Sequence, residues 1–300
     1  MTTSSGLLLV DKPRGVTSHD VVARLRLILN EKRVGHAGTL DPMATGLLVL
    51  GVGTATRLLR FAQSETKHYR GQVTLGVATD SLDADGQVTE RHDVPDVNEV
   101  DVARVTASML GDQQQIPPMV SALRVGGRRL HALAREGIDV VREPRDITVS
   151  SFSLVPSDEK NVWNFEVTCS VGTYVRVLLS DVAKGLGTVG HLSALRRVSS
   201  GSHHVDDALT LDDLARCVES GAQVVKSPSL FVTGLESVTL TSDQERRMRM
   251  GQKFELDGEF KDDEIAALSE DGLLIGVLRR RPQNWKPEIV LVHDDVAPEH

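Results

Sequence analysis

Gly35-His36-Ala37-Gly38-Thr39-Leu40-Asp41-Pro42 sets one carboxylate between a glycine-rich turn and a proline. Gly35 and Gly38 open backbone conformations closed to other residues and let the chain approach a ligand, while Pro42 biases Asp41 toward an extended conformation. The expected product is a rigid loop that holds an acid, and this acid is the first candidate for chemistry. An Asp-Pro turn between two secondary-structure elements would read the same from spacing alone, so the flanking chain has to decide.

Upstream, the apolar run Leu7 to Val10 reads as a buried strand that enters the turn Lys12-Pro13-Arg14-Gly15. Thr17 with Asp20 three residues later forms a capping-box pattern, and Val21, Val22, Leu25, Ile28 and Leu29 make the apolar stripe of the helix that follows. Downstream, Leu47 to Leu50 reads as a strand and Thr54 to Ala62 as a short helix. Tyr69, Gly71, Val73, Leu75 and Val77 alternate as one face of a strand. Asn98 starts a helix with Val102, Val105 and Met109 on its apolar side. Gln113 to Asp146 is polar, rich in Pro and Arg, and too long for an ordinary connection, which marks it as a functional loop. Ile147 to Val155 and Val162 to Val171 read as strands, Thr173 to Leu186 as a helix stopped by Gly187, and Thr210 caps another near Leu214.

Strands and helices without a strict βα repeat predict an α+β sheet protein. After Ser227-Pro228 the signals change: Thr239 to Met250, the turn Leu256-Asp257-Gly258, and Leu273 to Leu278 matched in pattern by Ile289 to Val292. The reading is two domains, 1–235 and a small β-rich 236–300.

Three hundred residues, 40% hydrophobic and 25% charged, have the composition of a globular protein with ample chain for a core. Met1 to Ser5 followed by the short run Leu7 to Val10 fits neither a signal peptide nor a membrane span, so a cytoplasmic location is expected. Cys169 and Cys217 lie far apart and form no CxxC or Cys/His cluster; both are expected to be buried thiols, and neither a disulfide framework nor a zinc site is indicated. The net charge of -8 argues mildly against nonspecific nucleic-acid binding, but it is unevenly spread. Residues 242–300 hold nine Lys/Arg against fourteen Asp/Glu, which leaves only -3 on the first 241 residues. Within 120–145, Arg124, Arg128, Arg129, Arg135, Arg142 and Arg145 face Glu136, Asp139 and Glu143; Arg24, Arg26, Lys32, Arg33, Arg196 and Arg197 make further basic spots. Arginine suits bidentate phosphate recognition, although such residues also serve as solvated faces.

The chain has two tyrosines, Tyr69 in Lys67-His68-Tyr69-Arg70 and Tyr174 in Gly172-Thr173-Tyr174-Val175-Arg176, each among polar or basic neighbours. Each offers a stacking face and a hydroxyl, or else packs a strand edge or helix start. Asp80 to Gly86 hints at a calcium loop, but Ser81 and His92 stand where it needs acids, so a polar hairpin turn is expected. Gly51-Val52-Gly53 lacks the rest of a phosphate-binding fingerprint, so no nucleotide cofactor follows. His191, His203 and His204 lack metal-ligand spacing and read as surface histidines.

Taken in order, Gly6-Leu7-Leu8-Leu9-Val10-Asp11-Lys12-Pro13, the octapeptide at 35–42, Lys67-His68-Tyr69-Arg70, Asp80 to Gly86, Gln115-Ile116-Pro117-Pro118-Met119 with Ser121-Ala122-Leu123, Gly172 to Arg176 and Leu195-Arg196-Arg197 resemble the TruB family of tRNA pseudouridine synthases. The resemblance covers about 6–215; the final segment is more weakly similar to a PUA-like RNA-binding domain.

The resemblance implies a catalytic domain on a long mixed β-sheet that converts the T-loop uridine at position 55 of standard tRNA numbering to pseudouridine, without cofactor or metal. The expected partner is the tRNA T-arm stem-loop, the expected state a monomer, and no membrane is involved. Asp41 matches the catalytic aspartate, whether as nucleophile or as base, and Arg176 the arginine that keeps it ionised and aimed. Tyr69 matches the catalytic residue that stacks on the target uracil and helps remove the C5 proton, and Tyr174 and Leu195 match those that close the pocket. His36 matches a histidine that fills space vacated by flipped nucleotides. Lys12, Asp83 and Arg197 match substrate-binding positions with supporting roles. The stretch 115–146 matches an insertion that closes over RNA, with Arg124, Arg128 and Arg129 on the RNA backbone. Two other classes remain open at this point: an RNA-folding chaperone, and an aspartate-dependent glycosidase, which would need a second paired carboxylate and aromatic platforms that a chain with 3% aromatic residues supplies poorly.

Overall fold

The computed structural model describes residues 5–63, 66–121, 123–130, 133 and 136–291. Met1 to Ser4, Ala122, Arg135, Val292 and the rest of the C-terminal stretch lie outside the described residues, as do the side chains of Arg124 and Arg129. The chain opens with β1 (Gly6–Lys12), α1 (Ser18–Ile28), β2 (Val34–Ala37) and β3 (Thr45–Val52), then passes through a 3-10 turn over Gly53–Leu58 into α2 (Leu59–Gln63). β4 (Lys67–Leu75), the hairpin β5 (Val77–Thr79) and β6 (Val88–Arg91), α3 (Glu99–Ser108) and β7 (Gly111–Gln115) follow. A small hairpin, β8 (Arg124–Val125) and β9 (Arg128–Arg129), precedes β10 (Arg145–Pro156), β11 (Val162–Cys169), α4 (Val175–Gly185), β12 (Gly190–Ser200), β13 (His203–His204) and α5 (Leu211–Glu219). The last part holds β14 (Ser237–Thr239), α6 (Ser242–Arg249), β15 (Glu264–Leu268), β16 (Leu274–Arg281) and β17 (Asn284–Val290).

Nine strands form one sheet in the order β1-β3-β12-β4-β11-β10-β7, with β2 on β3 and β13 on β12. β3 and β12 run parallel and the other pairs antiparallel, so the sheet is mixed and the α+β expectation holds. The unbroken apolar run of β1 arises because both its faces are covered. Leu7 and Leu9 join a core with Leu47, Val49 and Leu58, whereas Leu8 and Val10 join Val21, Val22 and Leu25 of α1 on the other side. The capping box of Thr17 and Asp20 forms as the sequence predicts.

β12 is the central strand that periodicity does not reveal. Its register shifts between Leu192 and Ala194 and again between Arg197 and Ser199, so the two-residue alternation is broken twice. Next to the first shift, Gly71 of β4 lies so close that an added Cβ would stand 2.0 Å from the Ala194 carbonyl oxygen. Bulge and glycine together bring β4 and β12 side by side under the site.

Four strands, β14-β15-β16-β17, form a separate sheet from Ser237 onward. It is not detached: Ala266, Leu274, Val277, Ile289 and Leu291 share a core with Leu7, Leu9 and Leu58, and Arg60 pairs with Glu264 at 2.8 Å. Two expectations need correction. His203 is buried rather than on the surface, and of the two cysteines Cys169 is buried but Cys217 only half-buried. Asp80 to Gly86 does form the turn of the β5–β6 hairpin. Among the described residues no helix is long and apolar enough to cross a membrane.

Candidate functional site

The octapeptide forms β2 and then a loop whose backbone is held at several points. Gly38 adopts φ +83°, a left-handed conformation open to glycine, and its carbonyl accepts from Arg197 Nη2 at 3.1 Å. The Leu40 N–H donates to Ser18 Oγ at 2.9 Å, which ties the loop to the first turn of α1. The Pro42 carbonyl accepts from the Gly15 N–H at 2.8 Å and from Lys12 Nζ at 3.4 Å. Lys12 is fully buried and also donates to the Val16 and Pro13 carbonyls at 2.7 and 3.0 Å. Burial pulls its pKa down to about 8, against the opposing pull of the Asp41 carboxylate.

Asp41 projects from this loop toward α4. Its Oδ2 lies 2.8 Å from Arg176 Nη2, and the same guanidinium reaches Asp83 Oδ2 through Nη1 at 3.1 Å. Asp83 is fixed in turn, since its Oδ1 accepts from Ser81 Oγ at 2.5 Å and from the Asp85 N–H at 3.1 Å. The β5–β6 turn thus carries a buried acid that anchors the arginine, and the arginine aims Asp41. Burial raises the Asp41 pKa above its ordinary value; Arg176 opposes the rise and Asp83 adds to it. Arg176 therefore limits the shift without cancelling it.

Asp41 opens into a cavity of about 310 Å³ walled by Tyr69, Tyr174, Arg176, Leu195 and Arg197, with Ser121 and Leu123 of the insertion on its rim. Tyr69 of β4 and Arg197 of β12 are cross-strand partners, and their side chains interact in the cavity floor. Burial pushes the Tyr69 phenol up, so it stays protonated at neutral pH. Arg197 is 1% exposed and donates through Nε to the Leu47 carbonyl at 2.7 Å. It is part of the wall and not a surface basic spot. Tyr174 is the N-cap of α4, and the Arg176 guanidinium lies 6.0 Å from its ring centroid.

The sequence-predicted residues Asp41, Tyr69, Tyr174, Arg176, Leu195 and Arg197 come together here. Lys12 and Asp83 lie behind the wall, where they hold the loop and the arginine. His36 lies outside the wall on β2, with its ring 5.9 Å from that of His19, and burial lowers its pKa. The hairpin of Arg124 and Arg129 is not among the residues lining the cavity, and Arg128 pairs with Glu136. Leu130 and Leu133 are buried, so this stretch is anchored by apolar contacts that its composition obscures. Ser18, Lys67 and Gln115 were missed. Lys67 lines the cavity; Gln115 stands in the quoted segment at 115–119 and Lys67 in that at 67–70, where the motifs gave the position without the role.

A larger concavity of about 790 Å³ lies on the second sheet beside Arg279, Arg280 and Trp285. Its Glu264 and Asp263 pair with Arg279 and Arg280, and it offers no counterpart to the buried arginine that aims an open carboxylate in the Asp41 cavity. Among the described residues no group of three His, Cys, Asp or Glu side chains is placed to hold a metal ion.

Residues 26–175 match the family described as TruB family pseudouridylate synthase (N terminal domain). The chain is 42% identical over 265 residues to the tRNA pseudouridine synthase B of Psychrobacter cryohalolentis, which covers 86% of this chain and 74% of that protein. It is 39% identical to the tRNA pseudouridine synthase B of Leifsonia xyli subsp. xyli over 98% of each. Among solved structures, a chain of the H/ACA RNP bound to a substrate RNA containing 2'-deoxyuridine superposes with TM-score 0.73 at 22% identity, over 97% of this chain and 86% of that one. A chain of a Cbf5-Nop10-Gar1 complex gives TM-score 0.71 at 24% identity, over 96% and 84%. These structural likenesses bear on the fold, which extends through both sheets.

Proposed function

The chain belongs to the TruB family of pseudouridylate synthases, and we propose that it isomerises the T-loop uridine in the T-arm of tRNA, with Asp41 acting on the flipped nucleotide. As an isomerase it returns every atom of its substrate. The C1'–N1 bond breaks, the detached uracil turns within the cavity, C5 bonds to C1', the C5 proton leaves and N1 gains one.

The observation that carries this reading is the carboxylate count. Asp41 is the one acid among the described residues lining the cavity; its side chain is 37% exposed, while the arginine that aims it is 4% exposed. A carboxylate-paired glycosidase would need a second acid facing the same space. Asp83 does not supply it, being buried and engaged by Arg176, Ser81 and Asp85. Tyr69 offers a ring to the uracil, Tyr174 and Leu195 enclose it, and stacking offsets the few kcal/mol that flipping a base costs, about 1–3 kcal/mol per stacked base. The insertion at 115–146 closes over the stem-loop, and residues 236–300 form a PUA-like RNA-binding domain.

The test is to incubate the purified protein with an unmodified T-arm stem-loop, label pseudouridine with a carbodiimide that leaves an alkali-stable adduct on it alone, and map the mass-shifted fragment by nuclease digestion and mass spectrometry. Conversion at the T-loop uridine is expected. Conversion elsewhere would overturn the T-loop assignment and spare the chemistry; no conversion in any folded tRNA would overturn both.

A further inference from the structure

Gln115 is the last residue of β7, where the chain leaves the sheet to begin the insertion, and its backbone partner Arg145 is the first residue of β10, where the chain returns. Its side chain is buried and turns away from the insertion toward α4. Gln115 Oε1 accepts the Tyr174 N–H at 2.8 Å, and Gln115 Nε2 donates to the Tyr174 carbonyl at 3.1 Å. One side-chain amide thus saturates both backbone groups of a single residue, as a neighbouring strand would.

That residue occupies a decisive place. Tyr174 is the N-cap of α4 and has no side-chain capping bond of its own; its carbonyl also accepts the Val177 and Leu178 N–H groups that start the helix. Its ring walls the cavity, and two residues later Arg176 bridges Asp41 and Asp83. The amide of Gln115 is therefore the link by which the root of the insertion reaches the helix start that aims the catalytic carboxylate.

We propose that Gln115 is a positioning residue, which couples the seating of the insertion on RNA to the placement of Tyr174 and Arg176 around Asp41. The proposal rests on the isomerase reading above. Geometry of reacting groups matters steeply to rate, with misplacements of about 1 Å costing as much as ~100-fold. Gln115 is buried and itself faces no phosphate, so losing the link should lower turnover more than binding.

The test uses Gln115→Met, which keeps the buried volume and removes both hydrogen bonds, and Gln115→Glu, in which a protonated acid restores both. With the stem-loop as substrate, Gln115→Met should reduce kcat about tenfold and leave KM within about twofold, and amide exchange at Tyr174 to Leu178 should quicken. For Gln115→Glu, the rate relative to wild type should recover as pH falls, the ratio removing the titration of Asp41 from the comparison. Wild-type kcat in Gln115→Met, or a change confined to KM, would overturn the proposal. So would a flat pH ratio in a folded Gln115→Glu protein. Exchange at Tyr174 to Leu178 is read without substrate, so it tests the link even if the wild-type protein made no pseudouridine, the outcome that would fault the isomerase reading instead.

Discussion

Arg176 meets Asp41 at 2.8 Å with its guanidinium already committed to Asp83 at 3.1 Å, so one buried cation serves a fixed acid and one that opens into the cavity. The fixed acid holds the arginine's angle when substrate displaces solvent from the cavity. The acid open to the cavity is then aimed by a group that does not itself have to reorganise, which is the condition for electrostatic preorganisation.

Asp41→Asn should abolish pseudouridine formation and leave stem-loop affinity nearly intact, since it removes charge and basicity but keeps shape. The Asp41 pKa is raised in the fold, so the unfolded chain ionises this group at lower pH than the folded one does. Ionisation of Asp41 therefore subtracts stability as pH climbs above the ordinary aspartate value of 3.8. Removing the charge should leave the neutral-pH melting temperature unchanged or higher. In the wild type the acid limb of kcat/KM should fall above pH 3.8 for the same reason. Substantial product from folded Asp41→Asn protein would sink the assignment.

The role proposed for Tyr69 has two separable parts, a ring that stacks on the uracil and a hydroxyl that helps remove the C5 proton. Tyr69→Phe keeps the ring against the uracil and should retain RNA binding while slowing product formation; Tyr69→Ala should lose both and also leave a void beside Val167 and Val73 costing about 3–5 kcal/mol. Near-normal and equal rates for the two variants, measured on the stem-loop, would reduce Tyr69 to a structural residue.

The site was legible in the sequence to the extent that its groups sit in fixed-order motifs. Asp41, Tyr69, Tyr174, Arg176 and Leu195 were all named, and the cavity assembles them. Their supports were less legible, because a support acts on backbone atoms that sequence does not locate. Lys12 and Arg197 match substrate-binding positions with supporting roles, and only the fold shows what they support: they bond to carbonyls of the loop at Pro42 and Gly38. Ser18 and Gln115 escaped for the same reason. In the fold, β1 and β3 were visible as apolar runs, whereas two register shifts erased the alternation that would have shown β12.

Lys12 gives a second pH signature. Its folded pKa of about 8 lies below the ordinary 10.5, so the fold binds this proton more weakly than the unfolded chain does. The stability it contributes is fully present above pH 10.5 and is lost as pH falls through about 8. The unfolding free energy of wild type minus that of Lys12→Met should therefore rise between those values in denaturant titrations. A difference independent of pH there would mean that Lys12 is more exposed to solvent than its three carbonyl contacts imply.

The insertion supplies the last prediction. Arg124 and Arg129 are backbone partners across the Gly126-Gly127 turn, and Arg128 is held by Glu136. Phosphate contacts release counterions, with a slope of about -0.9 in log affinity against log salt for each charge engaged on a duplex. Replacing Arg124, Arg128 and Arg129 with alanine should weaken stem-loop binding and flatten that slope by about 2 to 3. Turnover at saturating RNA should change less, because the Asp41 cavity is built from other elements. Arg128 must leave Glu136 to reach a phosphate, so Glu136→Gln should tighten binding while the triple variant loosens it. Buried Leu130 and Leu133 anchor part of the segment, and the Leu130 N–H already donates to the Leu123 carbonyl at 2.8 Å. Slowed exchange on RNA binding should therefore appear in the hairpin turn and at Gly137 and not at Leu130. An unchanged salt slope together with unchanged exchange would make the hairpin an ordinary surface element. The RNA path would then run along Arg33 and Arg24, since Arg197 is buried and Arg196 is held by both oxygens of Asp11.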